Sequence, residues 1–516
     1  MRDKIAIIIG AGPAGLSAAY HLITETENVK PIIIEKTNSV GGISKTITEN
    51  GNATDIGPHR LFSKNQEIIN LWEKLLPLQG SPAIDDKILN RHATLKTGGP
   101  NPENVDNVML KRKRFSRIFY LGKFFDYPIS LKVETILNLG LKRTTKAGFS
   151  YLKSCIHKVP EHSLEDFMIN RFGKVLYKMF FEKYTEKVWG IHPSNISKEW
   201  GEQRIKGISL SKVLINALLS PFKLISKNKK ETSLIEEYYY PKFGCSQLWQ
   251  IMADAITSNG GEILFNTNVT KFGIQDGKIY NVTATCQNEE KIYNADYIIS
   301  SMPIKELISG MENVPNDVKY VAENLQYRDY ILASYLAKDV NLPNNTKFPT
   351  INNIAPDSWI YLQDDNIKAG RIHIMNNFSP YTVKDFEHNT LINLEYFCNE
   401  NDELWSKQDD ELLDFGISEF KKLGVLNKEN IINSKCIRVK KAYPAYFGVY
   451  KDFDKIKSYL NSITNLYCIG RNGQHKYNNM DHSILSGIEV VNVIKNNLPI
   501  DVLWDVNTEQ EYQETK

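Results

Sequence analysis

The chain has 516 residues, of which 42% are apolar and 24% charged, and its formal charge is +3. That length exceeds what one hydrophobic core supports, so two or three domains are expected. The near balance of charge argues against a dedicated nucleic-acid binder, which carries a basic face or stripe. No apolar run reaches the roughly 18 residues of a membrane span. The six cysteines form no CxxC pair, as expected of reduced thiols in a cytoplasmic protein without structural zinc.

In chain order, residues 5–9 form a short apolar run, too short for a signal-peptide core and suited to a parallel strand buried on both faces. Residues 13–23 have helical spacing with Ala14, Ala18 and Ala19 on one side, and residues 31–35 read as a second strand. Together they make a β-α-β unit. Residues 66–233 turn to long amphipathic patterns, notably 164–187 and 210–225, with a strand or hairpin near 117–127. The run Lys111-Arg112-Lys113-Arg114 reads as a solvated loop, and the basic stretch 220–230 follows an amphipathic helix. Residues 247–258 suggest a helix, and 262–265 and 297–301 suggest strands. Alternation at 331–336, 359–362 and 371–375 suits an antiparallel sheet. A strand at 466–469 and a helix from about 481 close the pattern.

The expected class is therefore α/β. A Rossmann-type dinucleotide domain is written in three pieces (1–65, 234–325 and 441–507). A mainly helical insertion (66–233) and an antiparallel-sheet substrate domain (326–440) interrupt it, and 508–516 is a polar tail.

Gly10-x-Gly12-x-x-Gly15 lies between the first strand and helix, with Pro13 and Ala14 inside it. The first glycine permits a tight turn, the second a close approach to a pyrophosphate, and the third close helix–strand packing. Amides at the helix start bind the diphosphate. Glu35 ends the second strand twenty positions after Gly15, where a carboxylate accepts hydrogen bonds from ribose hydroxyls. Gly41-Gly42 resembles the second glycine patch of glutathione-reductase-like FAD proteins, which implies FAD. Lys36 and Val269 are further expected cofactor contacts. Gly470-Arg471 follows the last strand, and Asn479-Met480-Asp481 precedes the last helix. In amine-oxidase-like flavoproteins a helix starting here points its positive end at the flavin. Asp481 reads equally as a helix N-cap.

Further motifs carry a more specific resemblance. Gly57-Pro58-His59 resembles the "GPH" motif of the UDP-galactopyranose mutases, and Tyr184-Thr185-Glu186-Lys187-Val188-Trp189-Gly190 resembles their "YTxKQWG". Arg204 follows where that family places an arginine. Gly470-Arg471 with Tyr477 and Met480-Asp481 resembles its C-terminal motif. The overall likeness extends to protoporphyrinogen-oxidase-like flavoproteins, often linked to polysaccharide biosynthesis. The mutase resemblance implies a nucleotide-diphosphate sugar as substrate, attacked at its anomeric carbon by N5 of reduced flavin. It implies His59, Arg204 and Arg471 in catalysis and Tyr184, Trp189, Arg204, Arg328, Tyr443 and Tyr477 as substrate contacts. His59 and Arg471 would also touch the flavin.

The chain departs from that pattern at Val188, His475, Lys476 and Asn479, which leaves a second flavoenzyme reading open: an oxidase or desaturase acting on another substrate. A third is a non-catalytic flavin-binding partner in a polysaccharide-assembly complex. No second GxGxxG is present, so a reductant such as NAD(P)H would be external, and a homo-oligomer is compatible with the sequence. No cluster has metal-ligand spacing, so no metal is expected.

Overall fold

A computed structural model describes residues 4–127, 129, 133–198, 200–201 and 237–507. Arg204, the expected helix 210–225, the basic stretch 220–230 and the tail 508–516 lie outside the described residues.

Five parallel strands build the first sheet, in the order Leu466–Cys468, Tyr297–Ser300, Lys4–Ile9, Val29–Ile34, Glu262–Leu264. The central strand sets Ile7 opposite both Ile298 and Ile32. Successive side chains point to opposite faces. Ala6 and Ile8 enter one core and Ile7 and Ile9 the other, all 5% exposed or less. This is why the strand reads as one continuous apolar run.

Helices Pro13–Glu25, Ser246–Ser258 and Met480–Asn496 cover the first face. Helices Ile304–Ser309, Asn316–Asn324 and Phe453–Asn461 cover the second, with a three-stranded antiparallel meander, Thr267–Gln275, Lys278–Cys286 and Glu289–Asn294. The meander was not foreseen from the sequence.

The second sheet has seven strands, in the order Ile431–Pro444, Tyr327–Ala337, Thr390–Cys398, Arg371–Ile374, Trp359–Leu362, Ser116–Tyr120, Lys123–Asp126. The sheet expected within 326–440 is thus larger and not wholly antiparallel. The hairpin Ser116–Asp126 joins it, and Ser116–Tyr120 runs parallel to Trp359–Leu362. Docking there pairs an edge that would otherwise expose unpaired amides and carbonyls.

Two further expectations are corrected. The 164–187 pattern is broken: Leu164–Phe172 ends at Gly173, whose φ is +77°. A short helix, Lys174–Tyr177, then leads into one π turn, Lys178–Glu182, and the helix Lys183–Trp189. A Cβ on Gly173 would lie 2.7 Å from the Tyr151 amide nitrogen, so no other residue fits that stop. The basic run is not a solvated loop, because Met109–Lys113 is a strand paired with Glu237–Pro241. Arg112 is 5% exposed there and donates to Asp85 Oδ1 (3.0 Å) and Asp86 Oδ2 (3.2 Å). All six cysteines are free. Among the described residues no helix is long and apolar enough to cross a membrane.

Candidate active site

At the carboxyl end of the central strand, Gly10 turns with φ +101° and Pro13 opens the first helix. Gly15 packs against that turn so closely that a Cβ on it would lie 2.0 Å from Gly10 O. Gly41 and Gly42 have φ of +101° and +55°. A Cβ on Gly42 would stand 3.2 Å from Gly12 Cα, and Gly41 N donates to Ala11 O (2.9 Å). The two glycine turns therefore meet backbone to backbone and leave a side-chain-free cradle.

Glu35 is 8% exposed at its rim. It accepts from Ala11 N (2.7 Å), and from Thr37 N and Oγ1 (both 2.8 Å). Lys36 is exposed. Thr267 N donates to Glu35 O, and Val269, two residues further along that strand, is 5% exposed and packs in the core with Ile7, Ile9 and Ile34.

The C-terminal helix runs parallel to the first. Ser17 Oγ donates to Ile484 O (2.8 Å) and Lys495 Nζ to Glu25 Oε2 (2.8 Å). A Cβ on Gly487 would meet Ala14 O at 2.6 Å, and one on Gly470 would meet Ala14 Cβ at 2.8 Å. Both helices thus point their positive ends the same way, toward the cradle, where they stabilise negative charge. Asn479, not Asp481, is the N-cap residue of the last helix. Asp481 lies one residue inside, 2% exposed, with Oδ2 unpaired among the described residues. An open backbone cradle, a rim carboxylate and a buried unpaired polar atom beside two helix starts fit a bound dinucleotide. Glu35→Ala is expected to leave the fold intact and to lower the flavin-to-protein absorbance ratio after gel filtration.

Opposite this cradle the seven-stranded sheet presents a polar face that sequence reading missed. Arg371 and Glu395 are direct cross-strand partners, and His373 lies two residues along the same strand face as Arg371. Arg371 Nη2 donates to Glu395 Oε1 (2.6 Å) and to Tyr443 OH (2.8 Å). Tyr443 OH also lies 3.1 Å from Glu395 Oε1, and His373 Nε2 is 3.0 Å from Glu395 Oε2. Glu395 and His373 are fully buried. Burial alone would raise the Glu395 carboxyl, but Arg371 and then the His373 bond bring it down to about 2.

Arg471 lies over the rings of Tyr477 (4.2 Å) and Tyr443 (5.1 Å), which stack with centroids 5.5 Å apart. Its guanidinium donates to Ala442 O (2.7 Å) and Asn478 O (2.9 Å), and among the described residues no carboxylate pairs with it. Its charge is left uncompensated. His59 faces this group. Burial takes its imidazole down to about 3, Glu395 opposing and His373, Arg471 and Arg371 reinforcing the shift. The imidazole is therefore neutral over the working range. His59 Nδ1 and Arg371 Nε are buried and unpaired among the described residues.

Tyr184 joins the cluster, its phenol driven well up by burial, with Arg371, Tyr361, Glu395 and Tyr443 around it. The structure thus brings His59, Tyr184, Tyr443, Arg471 and Tyr477 together. It does not bring Arg328 or Trp189 to an open face. Arg328 donates to Val188 O (2.9 Å), Lys187 O (3.4 Å) and Phe397 O (3.3 Å), and it pairs with Asp402. Its donors are spent fastening the end of the helix Lys183–Trp189. Trp189 is 2% exposed, edge-on to Trp200, Tyr443 and Phe447. It packs the core behind the pocket and offers no open stacking surface. His475 and Lys476 turn away: His475 Nε2 bonds Ala445 O (3.1 Å), and Lys476 reaches Val506 O (3.2 Å).

These pKa shifts set an acid limit. Below pH 6.5 the unfolded chain protonates histidines that burial keeps neutral in the fold, His59 down to about 3 and His475 down to about 4. The unfolded state then binds more protons, so stability falls as pH falls. Burial raises Asp55 to about 6, which opposes this in part by favouring the fold as pH drops from 6 toward 3.8. Taken together, His59, His475 and Asp55 give a net loss of stability between pH 6.5 and 4, read as a falling thermal midpoint. A midpoint that rises over that interval contradicts the assignment.

A family model described as flavin containing amine oxidoreductase matches residues 13–494. A 4,4'-diapophytoene desaturase (4,4'-diapolycopene-forming) from Methylomonas sp. is 26% identical over 367 residues, 66% of this chain and 63% of that protein. The chain thus matches less than two thirds of that relative's length. The crystal structure of reduced UDP-galactopyranose mutase superposes with a TM-score of 0.75 at 20% identity, covering 98% of this chain and all of that one. A protoporphyrinogen oxidase-like protein from Exiguobacterium superposes at 0.66 with 13% identity, covering 96% and 100%.

Proposed function

The chain belongs to the flavin-containing amine oxidoreductase family and is an FAD-dependent enzyme, and from that premise we propose that it acts in the cytoplasm on a nucleotide-diphosphate sugar, in the manner of a UDP-galactopyranose mutase, in cell-surface polysaccharide synthesis. The observation that carries this reading is the guanidinium of Arg471, without a carboxylate partner among the described residues, laid over the stacked Tyr443–Tyr477 pair. A diphosphate supplies the missing negative charge and accepts from guanidinium and phenol donors. An apolar polyene uses neither, and this disfavours a desaturase reading despite the 26% relative.

When bound, reduced FAD supplies an electron-rich N5 to an anomeric carbon. The protein's own part is positional. Glu35, the glycine turns and the two helix starts hold the cofactor. Arg471, with Arg371 behind it, holds the leaving diphosphate. Tyr184 and Tyr477 donate to its oxygens, Tyr443, whose proton goes to Glu395, braces the Arg371–Glu395 pair, and neutral His59 keeps the ring's reacting edge free of a competing charge. Glu395 holds Arg371 in place and balances its charge, leaving that of Arg471 for the substrate.

The test is an anaerobic titration of dithionite-reduced and oxidised holoenzyme with UDP-, GDP- and dTDP-sugars. The flavin spectrum reports binding, and product analysis reports chemistry. Saturable spectral change and a rearranged sugar with the reduced enzyme are expected. Silence with every nucleotide sugar, together with flavin reduction by an apolar substrate, overturns the proposal in favour of an oxidoreductase.

A further inference from the structure

Behind the helix that carries Tyr184, carboxylates from three elements converge on one imidazole. Glu165 lies in the first turn of Leu164–Phe172, Glu182 ends the π turn, Glu186 stands one turn later, and His192 follows the left-handed Gly190. His192 Nε2 is 3.6 Å from Glu182 Oε1 and 3.7 Å from Glu186 Oε1, and Nδ1 is 3.8 Å from Glu165 Oε2. These gaps are too wide for hydrogen bonds. The two gaps at Nε2 are close to the roughly 3.4 Å that separates two ligands held about 2.1 Å from one ion at the tetrahedral angle, and Glu165 stands at the Nδ1 edge of the same ring. One ligand atom from each of Glu165, Glu182 and His192 lies within 4.8 Å of the others.

The charge is uncompensated. Lys183 Nζ takes Glu186 Oε2 at 2.8 Å, but among the described residues neither Glu165 nor Glu182 has a lysine or arginine partner. A second observation points the same way. Tyr177 is 1% exposed, yet its hydroxyl makes no hydrogen bond among the described residues. Burial first, then Glu165, Glu182 and Glu186, raise its pKa, so the phenol lies in the field of these same carboxylates while donating to none of them.

The geometry points to a divalent transition-metal site, for Zn2+ or Mn2+, formed by Glu165, Glu182 and His192 with Glu186 and the Tyr177 hydroxyl beside it. Mixed carboxylate and imidazole donors suit these ions. Without metal Nδ1 accepts from Ser194 N (3.2 Å); ligation through Nε2 moves the ring proton to Nδ1, which gives up that bond and donates to Ser194 Oγ (2.8 Å). His192 is 38% exposed, which leaves an entry path for the ion. The ion ties the π turn to the following loop and so steadies the helix segment between Glu182 and Glu186, on which Tyr184 stands. This inference does not depend on the identity of the substrate.

The experiment uses FAD-loaded full-length protein, stripped with EDTA, dialysed and titrated with ZnCl2 or MnCl2 by calorimetry, with melting followed in parallel. One equivalent bound with micromolar affinity and a melting point several degrees higher are expected. Glu182→Gln and His192→Gln should each weaken binding at least tenfold while keeping the flavin absorbance of the parent. His192→Gln, at a partly exposed position, keeps the test open if Glu182→Gln does not fold. Binding that is absent at millimolar metal, or equally strong in the His192→Gln protein, overturns the site and marks an adventitious ion only.

Discussion

Glu395→Ala is expected to destabilise the protein by about 3–5 kcal/mol, because it removes one partner of a buried ion pair and leaves the other charged. Burial lowers the Arg371 pKa and Glu395 raises it above its ordinary value; with the carboxylate gone only the burial cost is left, and the guanidinium, which does not deprotonate in proteins, remains charged and unpaired. His373 Nε2 and Tyr443 OH lose the same acceptor. Urea unfolding of variant and parent, both FAD-loaded, measures the difference. The double variant Arg371→Met/Glu395→Leu separates stability from function. Apolar residues of similar volume should recover most of the stability, whereas the spectral response to nucleotide sugars should stay lost. A Glu395→Ala protein within 1 kcal/mol of the parent would show that Glu395 does not carry the charge balance of this pocket.

The second large effect is expected at Gly15→Ala. Its Cβ would sit 2.0 Å from Gly10 O and 3.2 Å from Ile8 Cγ2, both parts of the strand and turn that shape the cradle. The backbone must move, at about 3 kcal/mol or more, and the amides lose their alignment on the pyrophosphate. The purified variant should be colourless and melt well below the parent. Gly148→Ala provides the control: it lies in a helix with nothing within 4 Å of the added methyl. It should be neutral or stabilise by about 0.5–1 kcal/mol, with full flavin content. Equal flavin content in the two variants would sink the argument.

The cofactor half was legible because its determinants are local. Gly10, Gly12, Gly15, Glu35, Gly41 and Gly42 lie within a few dozen residues, each tied to one backbone requirement. The polar face of the second sheet was not, since Arg371 meets Glu395 only through strand register. A signal existed: Arg371 and His373 alternate with Ile372 and Ile374, and Asn393 and Glu395 with Ile392 and Leu394. Such alternation reads as a solvated face until the strand proves to be central in its sheet. The motif resemblance singled out residues 184–190, which fall on the helix Lys183–Trp189 and the Gly190 that ends it, but could not say which way their neighbours face. Arg328 and Trp189 accordingly serve to hold it, and Tyr184 looks into the pocket. Arg112 was misread because its partners, Asp85 and Asp86, lie outside the basic run itself.

The strand order of the first sheet also governs synthesis. Residues 4–9 leave the ribosome long before their neighbours on one side, 297–300, which in turn take their outer neighbour from 466–468. At ordinary elongation rates the interval to that last strand is on the order of 20–90 s. Through it the opening β-α-β unit waits without its closing strand or the second helix start. Nascent chains arrested short of residue 468 should therefore emerge without yellow colour, however much flavin surrounds them.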